Sequence, residues 1–193
     1  QWGTGDVYSR IIDAMKAAGI DPETVTVEQL APVDHFHARG FQATVELAGA
    51  LPIKAGQRLV DIGCGLGGPA RYLAQRFGCK VDGLDITAPF VEAGNKLTAL
   101  VGMQDAVTIK HGDGQKLPYA DKTFDGGYAL HVTMSAVSYT HLRAHETVLD
   151  LVCRLLLEKK NYIHYLLQHT YHSFILAIPL RDTTHTSTCL TSL

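Results

Sequence analysis

Apolar residues recur at helical spacing from the start of the chain, at Val7, Tyr8, Ile11, Ile12 and Met15, with Asp6 placed to cap the run and Gly19 to end it. An amphipathic helix is predicted there. After a turn at Asp21-Pro22, Phe41, Val45 and Ala48 mark a second helix running toward Leu51-Pro52. From Arg58 onward the period alternates between strand and helix, as in βαβ units. Strand one ends at Ile62, and the next helix runs from Pro69 to Phe77 and stops at Gly78. Strand two, Lys80 to Leu84, ends in Asp85, and Thr87 is placed to cap a helix whose apolar face is Phe90, Val91, Leu97 and Leu100. Strand three is Ala106 to Lys110, followed by HGDGQKLPY, and strand four is GGYALHV after Phe124-Asp125.

Beyond Thr133 the alternation stops. Helical potential returns between Thr147 and Lys160, with Val148, Leu149, Val152, Leu155 and Leu156 on one broad face. The apolar run Phe174 to Leu180 is much too short for a bilayer, which needs about 20 residues. TTHTSTCLTSL at the end has little periodicity of any kind.

Composition sharpens this division. All 18 glycines lie at or before Gly127, and the last 66 residues hold seven of the ten histidines and no glycine. Ordinary usage of about 7% would place four or five glycines there. The chain of 193 residues has room for one ordinary core. Its net charge of -2, with no basic run longer than Lys159-Lys160, gives no electrostatic footprint for nucleic acid. Cys64, Cys79, Cys153 and Cys189 form no CxxC and follow no signal peptide, which predicts reduced thiols in a cytoplasmic protein. Gln1 in place of methionine implies a natural start further upstream.

The chemistry centres on LVDIGCGLGGPARYL, Leu59 to Leu73. A strand leads into Gly63, Gly65, Gly67 and Gly68, and a helix opens at Pro69, a residue tolerated in a first helical turn. Such a loop lets a ligand approach bare backbone. Its N–H groups and the positive end of the next helix suit a carboxylate. Gly63, Gly65 and Gly68 also satisfy the GxGxxG of dinucleotide binders, so an NAD-dependent oxidoreductase stays open on these letters alone. Asp85 lies 20 residues beyond Gly65, the spacing at which an acid accepts from both ribose hydroxyls.

Asp61, two places before Gly63, turns the loop into D-x-G-x-G-x-G. In that form it resembles motif I of the class I S-adenosylmethionine-dependent methyltransferases, and the resemblance extends over roughly Val33 to Thr133. The resemblance implies a Rossmann-like α/β sheet with N-terminal helices, holding S-adenosylmethionine through Asp61, Gly63, Gly65, Gly67, Asp85 and Asp113. In Gly112-Asp113-Gly114, Asp113 resembles the family residue that accepts from the adenine amino group. Leu117-Pro118-Tyr119 followed by Phe124-Asp125 matches the family segment between strands three and four. DHFHARG, containing His35 and His37, resembles the lid of enzymes related to sarcosine, dimethylglycine and phosphoethanolamine methylation.

The implied activity is methyl transfer to a small-molecule acceptor, on nitrogen or oxygen. A cofactor-binding module without catalysis is the reading from another class. An amine acceptor needs only to arrive unprotonated, whereas a hydroxyl benefits from a base near neutral pKa. His131, His37 and His35 are the candidates for that role. No metal is expected, because His35 and His37 have no recognisable third ligand, and HxxxH at His141 and His145 lacks the HExxH order.

Three regions are expected: a helical cap over 1–52, a partial cofactor-binding core over 53–134, and a non-native tail over 135–193. Val137 to about Lys160 resembles translated sequencing-adapter read-through. A genuine accessory helix is its rival. With the tail in place of the family's later strands, the sheet is expected to be incomplete after strand four. That strand would then be an unpaired apolar edge, which invites aggregation and leaves the chain unstable or inactive.

Overall fold

The computed structural model describes residues 6–35, 37, 39–114, 117–120 and 123–130, together with the backbone of two strands at 164–166 and 175–179. His131, His141, His145, the helix expected over 147–160 and the end of the chain lie outside the described residues.

The elements follow the hydrophobic pattern closely. Helix α1 (Val7–Ala17) buries Ile11 and Met15, and Asp6 caps it by accepting from the Ser9 N–H at 3.1 Å. Gly19 follows at φ +75°, the left-handed turn that the sequence placed there. Helix α2 (Val27–Asp34) was not expected. It opens with a capping box, Thr26 and Gln29 each holding the other's backbone N–H. Pro32 inside it reads as a breaker along the sequence. The helix persists because Leu30 and Ala31 are buried. Helix α3 (Gly40–Ala50) follows Arg39, which sits at φ +68°. Arg39 reaches back to Glu46 with both terminal nitrogens.

Strands β1 (Arg58–Ile62), β2 (Lys80–Asp85), β3 (Val107–His111) and β4 (Gly126–Leu130) alternate with α4 (Gly68–Phe77) and α5 (Ala88–Leu100). They pair in parallel in the order β3-β2-β1-β4, with Arg58 opposite Lys80, Val81 opposite Val107 and Asp61 opposite Tyr128. Near-continuous burial along β2 and β4 is the mark of a parallel sheet covered on both faces. Thr87 stands at the N-cap of α5 but forms no side-chain cap; its N–H donates to Asp85 Oδ1 at 2.8 Å instead.

One expectation is corrected. Strand β4 is not an edge: β6 (Ile175–Pro179) pairs with it antiparallel along its whole length, from Gly126 opposite Pro179 to Leu130 opposite Ile175. A further strand, β5 (His164–Leu166), pairs antiparallel with β6. The sheet therefore continues beyond its fourth strand with segments of the glycine-free tail. The run from Phe174 to Leu180 has strand length and β-branched content, which its shortness as a membrane span obscured. The expectation of instability rested on the open edge and loses that ground.

Two apolar clusters hold the layers together. One packs α3 and α4 against the sheet through Leu47, Leu73, Val81, Val107, Tyr128 and Leu130. The other joins Ile11, Met15, Val25 and Leu30 of the N-terminal segment to Leu97 of α5 and to Leu66 of the glycine loop. Among the described residues no helix is long and apolar enough to cross a membrane.

Candidate cofactor site at the carboxyl ends of the sheet

In an open parallel sheet, ligands bind beyond the carboxyl ends of the strands where the strand order reverses. Here that point lies between β1 and its neighbours β2 and β4. The glycine loop leaves β1 with Gly63, Gly65 and Gly67 at φ +71°, +55° and +78°. A side chain at any of the three would meet the left-handed penalty. The loop is tied to the end of β2: Leu84 O accepts from the Gly63 N–H at 2.7 Å, and Asp85 Oδ2 accepts from the Gly65 N–H at 2.8 Å. The Gly67 N–H donates to Cys64 O at 2.9 Å. This leaves the N–H groups of Leu66, Gly68 and Ala70 without a partner among the described residues, at the positive end of α4.

Asp85 is buried and spends one lone pair of each carboxylate oxygen on the loop and on Thr87, leaving further acceptor capacity. The Gly112 N–H donates to Asp85 O at 2.9 Å, which brings Gly112-Asp113-Gly114 beside the end of β2. A Cβ at Gly112 would come within 2.8 Å of Leu84, and one at Gly114 within 2.7 Å of Ile62, so both glycines serve close approach of the three strand ends. Ile86 was missed by the sequence reading. It is 70% exposed, the large hydrophobic residue left in solvent among those described, and it directly follows Asp85. An apolar side chain stranded at a functional loop was the available signal.

Asp61 lies beneath the loop, fully buried opposite Tyr128 on β4. Loss of water pushes its carboxyl up to about 8; the Asp85 charge adds to the rise, while Tyr128 pulls the other way. The pull of Tyr128 exceeds the push of Asp85 but not the loss of water, and Asp61 Oδ2 and the Tyr128 hydroxyl both end without a hydrogen bond of regular geometry. Between about pH 4 and about pH 8 the folded chain holds a proton here that the unfolded chain has shed. Stability is therefore expected to fall as pH rises through that window, by up to about 1.4 kcal/mol per pH unit from this group. Asp61→Asn removes the proton and should flatten the slope. Urea unfolding of both proteins at several pH values checks it, and parallel slopes would show that Asp61 is ionised in the fold.

His35 and His37 are brought together, with ring centroids 5.7 Å apart. The His35 side chain is wholly buried; its Nδ1 donates to Asp34 Oδ1 at 2.6 Å, and its ring packs edge-on against Phe41 at 5.3 Å. His37 Nε2 lies 3.4 Å from Thr44 Oγ1. Also missed were the partners of this pair. Arg71 of α4 is completely buried and bonds Asp34 Oδ2 at 2.9 Å, across 37 positions of sequence.

The parallel order, the positive-φ loop after β1 and the acid ending β2 together define a Rossmann-like domain that receives a nucleotide-bearing cofactor. The chain belongs to the methyltransferase domain family, whose model matches residues 60–160. It is 32% identical over 130 residues to the 27-O-demethylrifamycin SV methyltransferase of Amycolatopsis mediterranei, an alignment covering 65% of this chain and 44% of that protein. A sterol 24-C-methyltransferase of Yarrowia lipolytica is 37% identical over 90 residues, covering 47% of this chain and 24% of the relative. A solved S-adenosylmethionine-dependent methyltransferase of Geobacter sulfurreducens shares the fold at a TM-score of 0.50 and 21% identity, over 70% of this chain and 51% of that one. The chain spans about half or less of the length of the curated relatives it matches.

Proposed function

We propose that this domain binds S-adenosylmethionine and transfers its methyl group to a small-molecule acceptor at nitrogen or oxygen. The observation that carries the reading is the convergence, at the ends of β1, β2 and β3, of three groups. These are unpaired loop N–H donors, the half-spent carboxylate of Asp85, and exposed Ile86 next to Asp85, whose carbonyl holds the Gly112 N–H of the turn after β3. Each suits one part of the molecule. The N–H groups of Leu66, Gly68 and Ala70 would receive a carboxylate, and Asp85 a ribose diol. Ile86 offers a flat ring an apolar face, and Asp113 offers its amino group an acceptor. The orphaned oxygen of Asp61 is what an ammonium group would satisfy. The bound cofactor supplies a methyl carbon already activated by positive sulfur.

The protein's own task is then alignment and exclusion of water. The N-terminal segment packs on Leu66 of the loop, and His35, His37 and His131 are the candidate bases for a hydroxyl acceptor. Rifamycin- and sterol-directed relatives support a small-molecule acceptor. The buried free thiols of Cys64 and Cys79 fit a reducing compartment, the cytoplasm. Calorimetric titration with S-adenosylhomocysteine is expected to give saturable binding in the micromolar range or tighter, and titration with NAD none. Binding of NAD alone would replace the reading with an oxidoreductase. Cofactor binding with no product from any offered amine or hydroxyl would reduce it to a binding module.

A further inference from the structure

The buried guanidinium of Arg71 occupies a position that packing alone does not require. Its side chain is fully enclosed, and its two terminal nitrogens make four bonds in three directions. Nη1 donates to Gly94 O at 3.2 Å and Thr98 Oγ1 at 2.8 Å on α5; Nη2 donates to Asp34 Oδ2 at 2.9 Å at the end of α2 and to Leu66 O at 2.7 Å within the glycine loop. Replacing a buried ion pair by hydrophobic residues is often neutral or stabilising, so stability is a poor reason for one to sit here.

Leu66 is held a second time. Its side chain is buried in the cluster formed by Ile11, Met15, Val25 and Leu30 of the N-terminal segment. Loop carbonyl and loop side chain are therefore both anchored to the cap, one through an ion pair and one through apolar packing. Because the peptide bond is planar, fixing the Leu66 carbonyl inward fixes the Gly67 N–H on the opposite side. There it closes the turn onto Cys64 O at 2.9 Å. The Ala70 N–H, in the first turn of α4, has no intrahelical acceptor. The tie thus sets the orientation of the Leu66–Gly67 peptide at the centre of the loop.

We propose that Arg71 is a positioning residue: through Asp34 and Leu66 it makes the receiving shape of the glycine loop conditional on docking of the N-terminal cap. Cap docking and cofactor binding are then one coupled equilibrium, and the coupling is reciprocal. The cofactor half of this inference rests on the adenosylmethionine reading; the cap-to-loop half does not.

Amide hydrogen exchange on the full chain, with S-adenosylhomocysteine as probe, tests both halves. In the unliganded protein, Asp34→Asn should speed exchange of the Gly65 and Gly67 amides by about tenfold relative to the Val81 amide in the sheet, within the usual range of coupled sites. The probe should slow exchange at Leu30 of the cap, and Asp34→Asn should weaken probe binding about tenfold. Where Asp34→Asn fails to fold, the paired change Asp34→Leu with Arg71→Met keeps the cap docked by apolar contact. It should still loosen Gly67. If Gly65, Gly67 and Val81 move in step in whichever variant folds, Arg71 is only a structural ion pair and the proposal falls. If the probe binds neither wild type nor variant while Gly67 is selectively loosened, the cap-to-loop tie stands and the adenosylmethionine reading fails.

Discussion

Asp85→Asn is expected to lower affinity for S-adenosylhomocysteine roughly 100-fold. Hydrogen bonds to a charged group are worth about 1.5–3 kcal/mol, and each 1.4 kcal/mol is a factor of ten in affinity. Two losses combine. The carboxylate now holds the Gly65 N–H on Oδ2 and the Thr87 N–H on Oδ1, so an amide must turn its NH2 toward one of these donors. Freed from Asp85, the loop loses its anchor to β2 at the position where Gly65 stands at φ +55°. The same substitution removes the negative charge proposed to receive the ribose hydroxyls. Calorimetry gives the affinity, and thermal unfolding separates it from stability. Unchanged binding with a lowered melting temperature would make Asp85 a loop anchor and no more.

Much of this site was readable because its signals are local. Alternating apolar runs gave β1 to β4 and their helices, and glycines at fixed offsets from Asp61 marked the loop. The spacing to Asp85 named a second acid that the structure places within 2.8 Å of the loop. The illegible parts depend on distant contacts. Arg71 reads as an ordinary solvated residue of α4 until Asp34 is placed beside it. The burial of Asp61 is decided by β4, since Tyr128 lies opposite it only in the folded sheet. Helix α2 was hidden by Pro32, whose local meaning is overruled by the burial of Leu30 at no measurable exposure. The pairing of β6 on β4 crosses a long interval with no periodicity to announce it. Sequence pattern marks the glycine loop and the acid beside it better than the distant groups that hold them in place.

Gly68 illustrates that difference and leads to the largest expected loss of stability. In the motif the glycines that matter are Gly63, Gly65 and Gly67, each at positive φ, while Gly68 is an ordinary first residue of α4. The space around it reverses the ranking. A Cβ at Gly68 would stand 2.6 Å from both the carbonyl oxygen and Oδ1 of Asp34, and 2.7 Å from Nδ1 of His35. None of these atoms is the free end of a flexible side chain, because Asp34 is locked to Arg71 and His35 is packed under Phe41. At Gly65 an added Cβ would meet nothing within 4 Å. Gly65→Ala should therefore cost only the left-handed penalty, about 1–2 kcal/mol. Gly68→Ala must push the cap off the loop, combining overpacking of about 1–3 kcal/mol with disturbance of a buried ion pair whose loss costs about 3–5 kcal/mol. Urea unfolding of the two variants should rank Gly68→Ala as the more damaging by at least about 2 kcal/mol, the difference between these ranges. The opposite ranking would mean that α2 does not sit on α4 in solution.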